Sequence, residues 1–384
     1  MNLVSRGAAA ALGAGLAVIA FAAHVPPAHA DGSAAAAAVA APAAEPARPK
    51  YHVGFVDLPF AKALEKAQAE GKPLLVDLYA TWCGPCKDMD ENVFTVAAVA
   101  EEATNYVALR IDAEKGEGPA LYKRFHVTGY PTILFLTPEG LEMERVFGSL
   151  EADKFLTTLR EYRMNRGTLA DLEDKMAAAG AKATPAMIYE VGLRHALRGD
   201  AAAAEKLLGR VAKLDPENEA GLAAKSLFAL GAWLYNAGED YARATKTLAR
   251  LLARYPKSPE AKDALKPLAK AYLKLGRAAD VRATLDRLIE GETAKSKPYN
   301  VYAWFCFQNK FDFGHGVEVA KKGLAIDPKD AGLWDTLAEL HFAMGNAAEA
   351  IAATKKAIEI DPDDPYFKGQ LARFSATPAK SGGK

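Results

Sequence analysis

The sequence predicts two domains of different class, an α/β domain in the first half and an all-α array of paired helices in the second. Two observations carry this. Pro73 to Ala80 is an apolar run that reads as a buried strand, and it leads through Trp82-Cys83-Gly84-Pro85-Cys86 into a helical stretch, Lys87 to Phe94. From about residue 185 onward, apolar and small residues recur at helical spacing in units of about 34 residues. A chain of 384 residues accommodates two domains or more.

The first 30 residues read as a signal peptide: Arg6 gives a basic start, Ala8 to Ala23 an apolar core, and Ala28-His29-Ala30 a small-x-small cleavage site before Asp31. An uncleaved anchor is the competing reading, but the apolar stretch is short of the roughly 20 residues a spanning helix needs. No cysteine follows that core, which argues against a lipid-modified N-terminus. Residues 31–50, rich in Ala and Pro, read as a linker. The expected location is outside the cytoplasm, in the periplasm where the cell has an outer membrane.

Residues 51–165 hold the α/β domain. After the Cys-x-x-Cys come a helix at about Val96 to Ala103 and a strand from Tyr106 to Asp112. Strands at Ile133 to Thr137 and Leu141 to Phe147 flank a Pro138-Glu139-Gly140 turn, and a helix from Glu151 to Arg163 closes the domain. A cysteine at a strand-to-helix junction sits where unpaired N–H groups and the helix dipole favour a thiolate. Such settings lower a cysteine pKa from about 8.5 to between about 3.5 and 7.5. Cys83 is therefore the expected nucleophile and Cys86, one turn deeper, the resolving thiol. Half of a zinc site is the alternative. Structural zinc takes four ligands, and Cys306 is the only other cysteine with no histidine pair nearby, so no metal is expected. Cys306 lies in the aromatic run Tyr302 to Phe307 and reads as a buried packing residue.

The Cys83-Gly84-Pro85-Cys86 motif resembles the active site of the thioredoxin superfamily. Asp77, six residues before Cys83, stands where those proteins hold a buried carboxylate, and Gly129-Tyr130-Pro131-Thr132 looks like their cis-proline loop. The resemblance implies a thioredoxin fold, a central mixed sheet flanked by helices. It also implies substrate contacts at Trp82, Gly84, Pro85, Gly129, Tyr130 and Pro131, and a cis Tyr130–Pro131 bond. Asp77 reads either as the proton acceptor for Cys86 or as an ordinary strand-end carboxylate needing a partner. Gly71-Lys72-Pro73 before the strand and Asp77 to Cys83 leading into Cys86-Lys87 resemble more narrowly the C-terminal thioredoxin-like domain of the DsbD family. That implies electron transfer to or between protein disulfides. Two departures stand out. Ala108 replaces a lysine common beside the buried aspartate, which should leave Asp77 less stabilised, and Tyr130 is bulkier than the usual residue before the proline.

A bridging segment, residues 166–184, contains a helix from Leu169 to Ala179 ended by Gly180. Five units then follow over residues 185–375: 185–218, 225–258, 262–295, 297–330 and 331–364. The last carries Trp334, Leu337, Ala338, Gly345, Ala350, Ala357 and Pro362, and looks like a tetratricopeptide repeat. Asp327-Pro328 and Asp361-Pro362 are 34 residues apart. Gly316 and Gly323, where alanine is usual, suggest weaker packing in the fourth unit. Residues 366–374 read as a cap and 376–384 as a disordered tail. The resemblance implies an α-superhelix with a groove for protein or peptide ligands.

The chain has 48 basic and 48 acidic residues and no basic stripe, so nucleic acid is not an expected partner. It has no nicotinamide or flavin motif. The expected redox group is the Cys83–Cys86 pair itself, and the expected partners are protein disulfide substrates and a membrane protein that donates electrons. The Gly84-Pro85 dipeptide is that of reducing thioredoxins, near about −270 mV, not of strongly oxidising DsbA, near about −120 mV. A disulfide reductase whose repeats select partners is the first reading. A redox-linked chaperone and an assembly adaptor with vestigial chemistry are the alternatives.

Overall fold

The computed structural model describes residues 53–81 and 83–376. The expected signal peptide, the linker, Trp82 and residues 377–384 lie outside the described residues.

The first domain is a four-stranded mixed sheet between helices. Its elements are α1 (Phe60–Glu70), β1 (Leu74–Tyr79), α2 (Gly84–Asn92), α3 (Ala97–Ala103), β2 (Val107–Asp112), α4 (Gly118–Arg124), β3 (Thr132–Leu136), β4 (Glu142–Phe147) and α5 (Ala152–Arg163). The strand order is β2-β1-β3-β4. β1 runs parallel to β2 and antiparallel to β3, and β3 is antiparallel to β4. The run of β1, apolar but for Asp77, reflects burial on both faces, because alternate side chains enter different cores. Leu74, Val76 and Leu78 pack with Phe60, Ala63 and Ala67 of α1 and Leu121 of α4. Leu75 packs on the other face with Met89 of α2, Val99 of α3, and Phe155 and Leu159 of α5. Asp77 shares the Leu75 face, so it points to the side covered by α2.

Helices α1 and α4 are absent from the sequence reading. The apolar stripe of α1 is narrow, with Phe60, Ala63 and Ala67 buried and two of the three alanine. Only seven residues make up α4. Helix α2 starts at Gly84, three residues earlier than expected, because Cys83 itself is its N-cap.

The bridging helix α6 (Leu169–Ala179) is followed by five helix pairs among the described residues. They are α7 (Pro185–Arg198) with α8 (Ala201–Leu214); α9 (Leu222–Phe228), extended by a π-helical segment Ala229–Tyr235, with α10 (Tyr241–Arg254); and, after the short α11 (Pro259–Asp263), α12 (Leu265–Lys274) with α13 (Ala278–Ile289). The last two are α14 (Lys297–Gln308) with α15 (Phe313–Ile326) and α16 (Ala331–Ala343) with α17 (Ala347–Ile360), and α18 (Pro365–Ala376) covers the end. The sequence sets the punctuation. Asp200, Asp240, Asp312 and Asp330 cap the helices that follow them by accepting from the N–H three residues on. Helices α8, α10, α15 and α17 stop two residues before Pro216, Pro256, Pro328 and Pro362. One apolar core runs from Ala223 to Phe374 through successive pairs, so each pair buries its face only by stacking on its neighbours.

The expectation of weak packing at Gly316 and Gly323 is corrected. A Cβ at Gly316 would lie 2.9 Å from the Cys306 Cβ, and one at Gly323 would lie 2.6 Å from Leu333 Cδ2 and 2.7 Å from the Tyr299 Cβ. The glycines let α15 approach α14 and α16 more closely than alanine would.

The two domains meet along β4, an edge strand of the sheet. Glu144, 1 % exposed, pairs with Arg194 Nε of α7 at 2.8 Å and with Arg198 Nη2 at 3.4 Å. Arg145 donates to the Leu197 carbonyl at 3.1 Å, and Arg198 donates to the Met143 carbonyl at 2.9 Å. Charged side chains thus cover the strand that would otherwise present an open edge.

Candidate active site

Cys83 lies at the turn between β1 and α2, and its sulfur is bonded to that of Cys86 (S–S 2.11 Å). The Cys83 Sγ also accepts the Cys86 backbone N–H at 3.1 Å. Gly84 and Pro85 occupy the first two helical positions, where the proline ring fits and its missing N–H costs nothing. The Cys83 carbonyl accepts from Lys87 N at 3.1 Å, so the helix is closed from its first turn. A thiolate at Cys83 would gain both the N–H bond and the positive end of the helix dipole. Both cysteines are buried, with Ala80, Tyr79 and Tyr130 packed against them.

The loop before β3 brings Tyr130 there. The Tyr130–Pro131 peptide is cis. Thr132 Oγ1 donates to the Gly129 carbonyl at 2.8 Å, and Gly148 N donates to the Pro131 carbonyl at 2.9 Å. A side chain at Gly129 would press on the Phe147 ring, 3.0 Å away. The Tyr130 ring meets Tyr122 edge-on at 5.6 Å, and burial pushes its phenol pKa up. Gly84 is exposed and Pro85 half-buried, and both flank the sulfurs on the outer side of the turn.

Asp77 is 1 % exposed. Its Oδ2 forms an ion pair with Arg110 Nε at 3.0 Å, and Arg110 Nη2 reaches Asp90 Oδ1 of α2 at 2.6 Å. Arg110 is directly opposite Asp77 in the β1–β2 register, and its guanidinium stacks over the Tyr79 ring at 4.0 Å. The Asp77 Oδ1 is buried with no hydrogen-bond partner among the described residues. Burial raises the Asp77 pKa to about 6, against the opposing pull of the Arg110 cation.

The lysine missing at position 108 is replaced by another cation, although burial still leaves the Asp77 carboxylate disfavoured. Ala108 does face Leu75, but Arg110, two residues along the same strand face, supplies the charge. Neither Arg110 nor Asp90 was singled out from the sequence. Period-two alternation along β2 was the signal that could have found Arg110, and the i, i+4 spacing from Cys86 could have found Asp90.

Known proteins resemble both halves of the chain. A family model described as thioredoxin-like matches residues 58–138, a tetratricopeptide-repeat model matches 312–374, and a model described as an outer membrane lipoprotein matches 222–307. The chain is 39 % identical over 116 residues to the thiol:disulfide interchange protein DsbD of Yersinia pestis (strain Pestoides F), covering 28 % of this chain and 19 % of that protein. The chain thus spans about a fifth of the length of such curated relatives. Among solved structures, a thioredoxin from Thermus thermophilus is 31 % identical, covering 28 % of this chain and 87 % of that one, with a TM-score of 0.27. YrrB, described as a TPR protein with an unusual peptide-binding site, is 16 % identical, covering 53 % and 99 %, with a TM-score of 0.36. No helix among the described residues is long and apolar enough to cross a membrane. Fold, dithiol site and sequence relatives agree that the chain carries a thioredoxin-like domain, similar to that of DsbD proteins, followed by tetratricopeptide repeats.

Proposed function

We propose that the protein is an exported thiol-disulfide oxidoreductase that reduces protein disulfides through Cys83 and Cys86, with the repeats binding protein partners. The observation that carries this reading is the Cys83 sulfur at the start of α2, accepting the Cys86 N–H at 3.1 Å. In the reduced enzyme, the Cys83 thiolate attacks a substrate disulfide and forms a mixed disulfide, releasing one substrate thiolate. Asp77, through a water, takes the Cys86 proton. The Cys86 thiolate then attacks Cys83 Sγ, the bond from Cys83 to the substrate breaks, and the second substrate thiolate leaves. Two electrons pass to the substrate, and Cys83–Cys86 ends as the disulfide. A membrane-embedded dithiol protein re-reduces it. Backbone at Tyr130 pairs with the substrate strand, Gly129 and Pro131 shape that surface, and Gly84 and Pro85 border the sulfurs.

The Gly84-Pro85 dipeptide supports the reducing direction. The test is the reduction potential of the pair, set by equilibration in glutathione or dithiothreitol buffers. A value near that of thioredoxin, about −270 mV, fits a reductase, whereas one near that of DsbA, about −120 mV, would reverse the direction of the reaction.

A further inference from the structure

We propose that Arg110 is a positioning residue of the dithiol site: it clamps Asp77 and Asp90 together behind the helix that carries Cys86, and so keeps Asp77 in the form that accepts a proton. This rests on the reductase reading given above. Three contacts fix the guanidinium. Its Nε lies 3.0 Å from Asp77 Oδ2, its Nη2 lies 2.6 Å from Asp90 Oδ1, and its Cζ lies 4.0 Å from the centre of the Tyr79 ring. The arginine is 10 % exposed and Asp77 2 % at the side chain, so the pair interacts in a poorly hydrated setting where charge is felt strongly.

Geometry explains why an arginine does this. Asp77 and Arg110 are opposed on neighbouring strands, and Asp90 projects from α2 one turn beyond Cys86. One planar fork spans both carboxylates, whereas an ammonium is a single point charge. Among the described residues, the charged groups that act on Asp77 are Arg110 from β2 and Asp90 from α2, with opposite effects. Without the guanidinium, two carboxylates would share a buried site with no cation, and the one on β1 would hold a proton at neutral pH. A protonated Asp77 cannot take the Cys86 proton. The Cys86 thiol would then be slow to attack Cys83 Sγ, and the mixed disulfide would persist.

The test uses the full chain and two readouts. The first is insulin disulfide reduction with dithiothreitol as terminal reductant, from pH 5 to 9, for wild type, Arg110→Gln, Arg110→Lys, Asp77→Asn and the double variant Asp77→Asn/Arg110→Gln. The second is the Asp77 carboxyl titration by carbon NMR in the oxidised wild type, Arg110→Gln and Arg110→Lys. Arg110→Gln should move the acid limb of the rate profile, and the Asp77 midpoint, about one to three units toward alkaline pH. Its rate should recover at high pH. Arg110→Lys should shift both less, and the double variant should follow Asp77→Asn alone. A loss by the same factor at every pH with an unmoved Asp77 midpoint, in Arg110→Gln or in Arg110→Lys, would mean that the arginine only holds structure, and the proposal would fall. Wild type reducing insulin no faster than Cys83→Ser would sink the reductase reading instead, while the titration still decides what Arg110 does to Asp77.

Discussion

Arg194 of the first repeat helix forms an ion pair with Glu144 of the edge strand β4 at 2.8 Å, and both side chains are buried. The pair joins the sheet that carries the dithiol to the helical array. Arg194 is held from its other side by Glu190 at 2.6 Å, and Glu144 also receives Arg198 at 3.4 Å. Such a network is costly to desolvate and costly to break. Its consequence is orientation, since the repeats are fixed against one edge of the thioredoxin-like sheet.

Removing one partner tests this. Arg194→Met should leave buried Glu144 with the Arg145 N–H and, as its cation, Arg198 at the longer distance, and should destabilise the docked arrangement by about 3 kcal/mol. Calorimetry should show one transition in the wild type and two in the variant, because the domains would then unfold separately. A single unchanged transition would mean that the charge network contributes nothing to docking.

Glycine substitutions should have opposite signs at two helical positions. Gly323→Ala places a Cβ 2.7 Å from the Tyr299 Cβ, so α14 and α15 must separate. Overpacking of this kind costs about 1–3 kcal/mol, more than the roughly 1 kcal/mol of helix propensity gained. Gly209→Ala in α8 meets nothing within 4 Å and should stabilise by about 0.5–1 kcal/mol. Urea midpoints of the two variants check both signs.

These contacts show where the sequence is legible. The Cys83–Cys86 turn, the strand ending at Tyr79 and the helix pairs were readable because local chemistry decides them: an apolar run, a cap, an aspartate before a helix, a proline after one. Arg110 and Asp77 are 33 residues apart in sequence and meet only through the β1–β2 register. Glu144 and Arg194 are 50 apart and meet only once the domains dock. Gly323 looked like a defect because its neighbours, Tyr299 and Leu333, belong to other helices. Pairings of this kind depend on how elements pack, and no local pattern encodes that.

Asp77 should also contribute to how stability varies with pH. Its folded pKa is raised to about 6 from an ordinary value of 3.8. Between those values the folded state binds the proton that the unfolded state releases. The contribution is therefore fully present below about pH 4 and is lost as pH rises through about 6, on the order of 3 kcal/mol by pH 7. Asp77→Asn should lessen the fall by that amount and leave the part due to Asp335, which burial raises to about 7, and Arg110 keeps Asp90 as partner in that variant. Urea unfolding of the oxidised protein at pH 4 and pH 7 compares the two slopes. An equal decline in both proteins would assign the pH dependence to other groups.

The order of the two thiols predicts which variant traps substrate. Cys86→Ser keeps the helix-end sulfur at Cys83 and removes the group that resolves the mixed disulfide, so covalent complexes with protein substrates should accumulate and dissolve on adding dithiothreitol. Cys83→Ser keeps Cys86, which lies inside the first turn of α2 and not at its N-cap, and should trap nothing. Non-reducing gels followed by mass spectrometry read the difference. Complexes through Cys86 in the Cys83→Ser variant would exchange the roles of the two sulfurs. They would also place the thiolate inside the first turn, without the Cys86 N–H that Cys83 Sγ accepts.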